Sequence, residues 1–325
     1  MYFVIAATSY LLNAGVYVAD KFLLSKKIHS SVVYAFYVGI WSVGNFVLLF
    51  FEPFIPTWSQ LWFDLSAGFL FLFTLIFWYR ALHQSEATRV VPIVGALTPI
   101  FAFIFSFIFL GDVLRLEEGI AFIVLIAGGL LISVKRTRLY VLNEASEKIK
   151  DIFGRVLGKV RADLNPTKRL LFNSFISAFL FAAYYVLIKY IYSDTGQPFI
   201  GAFVWSRLGS FLGVMAILLV PAWRRLIKEA NSSKKRTPKE LVFFLAVRLT
   251  AAVAFIMLNW AVSLADNVSL VNALQGVQYA FLLGIVIVLS RKYPNILSEE
   301  NNRGVMIQKF IGVVLVSLGL YLLIL

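Results

Sequence analysis

The sequence contains no cysteine and only two histidines, His29 and His83. Disulfides, thiolate nucleophiles and thiolate metal sites are therefore excluded, and two loop histidines do not make a histidine metal site. Charge is scarce too. Charged residues make up 14% of the chain and hydrophobic ones 60%, against about 25% and about 45–50% in soluble domains. Such a chain belongs in lipid. Carboxylates are the scarcer sign, 17 against 30 basic residues, for a net charge of +13. The basic residues lie between apolar segments, so anionic lipid headgroups are the expected neighbour and nucleic acid is not.

What the chain does have is a series of long apolar runs. A bilayer span needs about 20 residues, and ten segments approach that length: 3–24, 32–51, 62–82, 90–110, 117–134, 170–191, 200–221, 241–263, 269–290 and 306–325. The first has no basic n-region, is too long for a signal h-region and lacks a small-residue cleavage pattern, so it is expected to remain as a helix. The odd-numbered connections hold 26 of the 30 basic residues. That asymmetry predicts cytoplasmic odd connections and outward termini, in the plasma membrane. Between 135 and 169, Leu142, Ala145, Ile149, Ile152, Val156 and Val160 recur at helical steps among lysines and arginines. The pattern predicts an amphipathic helix on the inner membrane surface, with a solvated charged linker as the alternative. The Arg224 to Lys239 connection contains Asn-Ser-Ser and Thr-Pro breakers and reads as a flexible basic loop.

The long connection separates five spans from five, giving a first unit at 1–134, a linker at 135–169 and a second unit at 170–325. Ser9, Ala14, Tyr17, Val18 and Lys21 match Ser177, Ala182, Tyr185, Val186 and Lys189 at a constant offset of 168. The stretch from Tyr79 to Asp112 has a patterned counterpart at an offset of 180, with Asn272 opposite Pro92 and Tyr279 opposite Pro99. Because each half has an odd number of spans, the second enters the membrane inverted. Such repeats usually build secondary transporters, with a site near the midplane. The expected fold is an all-α integral membrane protein of ten transmembrane helices, arranged as two inverted five-helix repeats around a central cavity.

Pro99-Ile100-Phe101, then Phe109-Leu110-Gly111-Asp112, then Gly119 and Gly128 resemble the EamA-type family of the drug/metabolite transporter superfamily. The resemblance extends over nearly the whole chain, including Lys189, Arg207, Gly312 and Gly319. It implies two five-helix repeats and a transport function. Asp112 stands where that family has Glu, and Leu289-Ser290-Arg291 stands where the second half would repeat Leu-Gly-Glu. In the small multidrug resistance branch of that superfamily a membrane-embedded Glu exchanges protons eight residues before such a lysine. Here those positions are Asn13 and Phe181, so proton-coupled cation antiport by that mechanism is not expected.

Arginine inside hydrocarbon is costly, about 2.5–3.5 kcal/mol on insertion scales, and Arg207 and Arg248 lie well inside their spans. Asp20, Asp64, Glu86, Asp112 and Asp266 all fall at segment ends or turns, so neither arginine has an evident partner. Two readings stand: the guanidiniums bind a substrate carboxylate or phosphate in a watery cavity, or they bond to backbone or a neighbouring helix. In the ninth span Asn272, Gln275 and Tyr279 share a helical face. With Asn13, Tyr185 and Asn259 they are candidates to line the cavity, interhelical hydrogen bonding being the alternative. Pro92 and Pro99 are expected to bend the fourth span along the cavity wall. Lys21 and Lys189 are read as snorkelling or as gates.

The expected function is alternating-access transport of a small polar or amphipathic, anionic metabolite, with no cofactor and no metal. The alternatives are a translocator of lipid-linked phosphates and a non-transporting membrane scaffold. No cluster of carboxylates, metal ligands or activated nucleophile points to an enzyme. A monomer is compatible with the sequence.

Overall fold

The computed structural model describes residues 1–26, 30–85, 87–133, 166–232, 238–292 and 303–324. The expected amphipathic linker helix lies outside them, except that 166–169 form the first turn of the helix that follows. Every regular element among the described residues is helical, as hydrocarbon requires when the backbone must satisfy itself. They are α1 (Tyr2–Lys26), α2 (Ser31–Trp41) continued as a 3-10 helix (Ser42–Phe50), α3 (Trp58–Gln84), α4 (Ala87–Phe109), α5 (Leu116–Ser133) and α6 (Pro166–Asp194). After these come α7 (Phe199–Leu219), α8 (Pro221–Ser232), α9 (Pro238–Leu264), α10 (Val268–Ala273), α11 (Gly276–Lys292) and α12 (Arg303–Ile324). Eight stretches of this all-α multi-pass membrane protein are long and apolar enough to cross a membrane. Aromatic side chains at Phe50, Phe51, Trp58 and Trp62 stand exposed at the end opposite the basic connections, where an interfacial belt belongs.

Several elements depart from the sequence expectation for visible reasons. The second span changes winding at Ser42, whose hydroxyl donates to the Gly39 carbonyl at 2.5 Å and to the Arg207 carbonyl at 3.1 Å. Asn45 donates to the Ser42 carbonyl at 2.9 Å, and such local bonds compete with the α-helical ladder. The ninth span is broken between α10 and α11, where Gln275 N–H and Val277 N–H reach back only three residues. The fourth span, with both prolines, is one continuous helix. The Arg224 to Lys239 loop is also corrected: its first part is helical as α8, with Ile227 buried and Arg225 paired to Glu229 at 2.8 Å. Leu-Gly-Asp ends α4 at a left-handed glycine: Gly111 takes φ of 70° and Asp112 N–H folds back to donate to the Ser106 carbonyl at 3.3 Å.

Packing is organised by close helix pairs. α3 lies against both α6 and α7, α1 against α9 and α11, α4 against α6, and α5 against α12. Small residues let backbones meet where lipid offers no hydrophobic drive between helices. On the α3–α7 seam a Cβ at Gly68 would run into the Ser206 carbonyl, and one at Gly209 into the Leu65 carbonyl. Ser210 closes the seam by donating to the Gly68 carbonyl at 2.8 Å. Gly128 serves the α5–α12 pair, where a Cβ would lie 2.8 Å from the Gly312 carbonyl oxygen.

This seam predicts that Gly68→Ala lowers stability by about 1–3 kcal/mol through overpacking. Gly15→Ala, where a Cβ meets nothing within 4 Å, gains roughly 0.5–1 kcal/mol from helix propensity. Thermal unfolding of the two variants in detergent tests the contrast, and equal responses would refute the seam.

Candidate functional site

α1, α2, α3, α6, α7 and α9 surround a cavity of about 150 Å³. Its wall is mostly apolar and rich in aromatic side chains, and its charge comes from Asp20, Arg207 and Arg248. The two arginines, on α7 and α9 of the second unit, have opposite circumstances.

Arg248 is paired. Its guanidinium donates to Asp20 Oδ1 and, at 3.0 Å, to the Tyr34 hydroxyl. Tyr34 in turn donates to Asp20 Oδ1 at 2.7 Å. The Tyr34 ring meets Tyr79 edge-on at 4.7 Å, and the Arg248 guanidinium lies 5.2 Å from the Tyr34 centroid and 5.6 Å from that of Phe244. The cluster ties α1, α2, α3 and α9 together at the cavity end nearest the basic connections. This corrects the expectation that Arg248 lacks a partner and that Asp20 belongs to a segment end. α1 extends to Lys26 and α9 begins at Pro238, so both residues lie inside helices at the same depth, and Asp20 is 2% exposed.

Arg207 is different. Among the described residues no carboxylate lies within ion-pair distance of it. It donates to the Tyr184 hydroxyl at 3.1 Å and to Ser206 Oγ at 3.4 Å, while its Nε has no partner. Four rings surround the charge: Phe71 at 4.6 Å, Phe255 at 4.7 Å, Phe203 at 5.4 Å and Tyr184 at 5.7 Å from guanidinium carbon to centroid. A ring face attracts a desolvated cation by about 2 kcal/mol or more. That stabilises the guanidinium without neutralising it.

Asn13 and Tyr185 line the same cavity. Asn13 Nδ2 donates to Ser9 Oγ at 3.4 Å, and Ser9 fastens α1 to α9 by donating to the Ala254 carbonyl at 2.7 Å. The other expected residues lie away from the lining. Asn259 is fully buried, accepting from Tyr184 at 2.9 Å and Tyr192 at 3.3 Å, so it positions the tyrosine that holds Arg207. Asn272, Gln275 and Tyr279 do not border the cavity. α10 packs on α4, and Tyr279 presses on Gly95 of α4 and Gly129 of α5. Helical spacing put these three on one face without specifying the neighbour that face meets. Pro92 and Pro99 lie on α4, outside the lining.

Lys21 and Lys189 cap helices. Lys21 Nζ donates to the Leu82 carbonyl at the end of α3 at 2.8 Å, and Lys189 Nζ to the Ala265 carbonyl after α9 at 2.5 Å. A cation there also complements the negative helix terminus. Burial pushes the nearby Asp112 carboxyl up from the usual range, while Lys189 pulls it back. Residues the sequence reading passed over are Asp20, Tyr34, Phe71 and Phe255. Asp20 had a usable signal, since a carboxylate within an apolar run points to a buried arginine elsewhere.

No family model matches the chain, and no curated protein matches it in sequence. Among solved structures, one described as "Crystal structure of protein" aligns with a TM-score of 0.61 at 14% identity, covering 99% of this chain and 95% of its own. The similarity is one of fold alone.

The paired cluster predicts that Asp20→Asn, which leaves the Arg248 charge buried, costs about 3–5 kcal/mol, and that adding Arg248→Met recovers most of the loss. Denaturation midpoints of the wild type, single and double variants measure this coupling. A double variant no more stable than the single would contradict it.

Proposed function

We propose that the chain is a secondary transporter of the EamA type, moving a small polar or amphipathic anionic metabolite by alternating access, with its basic connections in the cytoplasm. The observation that carries the proposal is Arg207, a guanidinium stabilised by rings and a tyrosine in a cavity that supplies it no carboxylate. Arg248, by contrast, is neutralised within the protein by Asp20. A guanidinium left charged at a cavity wall is arranged for an incoming anion, which its planar fork holds bidentately.

The helix pairing supports ten spans in two inverted repeats. The α1–α9 contact is mirrored by α6–α3, and the α1–α11 contact by α6–α4, while α5 and α12 meet each other. The lysine caps follow the same correspondence, Lys21 on α3 and Lys189 on α9. One correspondence fails. α3 and α7 form a close small-residue seam, whereas their counterparts α9 and α2 meet through Arg248, Phe244, Tyr34 and Tyr37 without a comparable backbone approach. Two related pairs in unequal contact support a protein resting in one of two alternating states.

A second reading, translocation of lipid-linked phosphates, is favoured by Trp41, which borders the cavity and is 50% exposed. It marks a lateral way in beside α2. The same Arg207 would hold the phosphate. The open cavity itself argues against a purely scaffolding role.

Purified protein should therefore be thermally stabilised by some members of a panel of organic acids, amino acids, nucleotides and sugar phosphates. Arg207→Gln should weaken that binding at least about tenfold, the equivalent of about 1.4 kcal/mol. A panel without stabilisation, or one unaffected by Arg207→Gln, would defeat the assignment.

A further inference from the structure

Asp64 lies on α3 with no exposed surface. Gln197, in the turn between α6 and α7, donates from Nε2 to Asp64 Oδ1 across 3.4 Å. Two atoms of this pair are buried without a partner, Asp64 Oδ2 and Gln197 Oε1. Among the described residues no cationic side chain lies within ion-pair distance of Asp64. The position is corrected with that of Asp20: α3 begins at Trp58 rather than at 62, so Asp64 sits nearly two turns inside the helix.

An ionised carboxylate offers acceptors alone, and so does an amide oxygen. The two orphan oxygens therefore cannot satisfy one another. A proton on Oδ2 changes this, because the carboxyl then has an O–H to donate. A carboxylic acid and a primary amide form a reciprocal pair, with the amide N–H to the acid carbonyl and the acid O–H to the amide oxygen. One of these two bonds is present from Gln197 to Asp64, and the orphan atoms are the two ends of the other. A metal ion fits less well, since hard cations take about six oxygens or more and this pair offers two unpartnered oxygens.

The location gives the proton a consequence. One turn beyond Asp64, Gly68 enters the seam with α7, while Gln197 immediately precedes Pro198, the residue that opens α7. The pair thus fastens the start of α3 to the start of α7, at the end opposite the basic connections. Its surroundings reinforce that fastening: Gln60 donates to the Thr195 carbonyl at 2.9 Å, and Glu52 accepts from Ile200 N–H at 3.1 Å. The titratable and charged neighbours are the Tyr192 phenol from α6, within electrostatic reach of Asp64, and beyond it Arg207 from α7. Arg207 is held by Tyr184 and its four rings.

We propose that Asp64 is a proton-binding site that locks α3 to the α6–α7 turn, and that loss of its proton frees the seam to part. Resting on the transporter reading of the Arg207 cavity, the inference makes Asp64 the coupling residue of a proton-linked anion carrier. The proton passes between the carboxyl and water admitted when the seam opens.

Infrared spectroscopy of the full-length protein reads the proton directly. The wild type minus Asp64→Asn difference at neutral pH should contain a carboxylic C=O stretch, and Gln197→Ala should raise its frequency by removing the hydrogen bond. The Gln197→Ala shift reads the same proton even where Asp64→Asn does not fold. The chain has no cysteine, so spin labels at Ser59→Cys and Ser193→Cys report the α3 to α6–α7 separation cleanly. That separation should lengthen as pH rises in the wild-type background and stay fixed with Asp64→Asn. A carboxylate band in place of the carboxylic one, or a pH response that survives Asp64→Asn, overturns the proposal. Failure of the anion panel would remove the transporter reading while leaving the infrared band, so the two failures are distinguishable.

Discussion

A guanidinium within a hydrocarbon layer has to be compensated by the protein around it, because neither lipid nor bulk water will do so. This chain meets that constraint twice, in opposite ways. Arg248 is neutralised by Asp20 and bound by Tyr34, and the resulting cluster draws four helices together. Arg207 is cushioned by rings and a tyrosine hydroxyl and keeps its charge. Breaking the first pairing leaves a buried charge, whereas in the proposed transporter the second arrangement is completed by an incoming anion. On the proposed function the same cavity therefore has a structural end and a receptive end.

The helices that present these residues are held by small side chains. Gly68, Ser206, Gly209 and Ser210 bring α3 and α7 into backbone contact, which fixes the position of Arg207 on α7 relative to Phe71 on α3. Ser42 adds a bond from the second span to the Arg207 carbonyl, at the cost of a change in helical winding. Asn259 works at one remove by accepting from Tyr184. Rigidity at the receptive end thus comes from seam geometry and from hydrogen bonds that do not touch the cavity.

Much of this was legible in the sequence. Segment length and apolarity gave the helices, and depth within an apolar run singled out Arg207 and Arg248. The limits have physical causes. Counting from segment ends misplaced Asp20 and Asp64, because α1 and α3 extend beyond their apolar runs. Helical periodicity grouped Asn272, Gln275 and Tyr279 but could not say that α4 and α5, and not the cavity, receive them. The break in the ninth span, after α10, carries no proline, so backbone turns that the sequence does not announce decide it. The amphipathic α8 was obscured by the Asn-Ser-Ser that ends it.

In the proposed function the cavity carries an anion across the membrane by way of Arg207. Solute counterflow in proteoliposomes tests it most directly, with unlabelled carboxylates and phosphates loaded inside and a labelled member of the same set outside. Label should accumulate transiently with the wild type and not with Arg207→Gln protein that is folded and correctly inserted. Equal accumulation in both would contradict it.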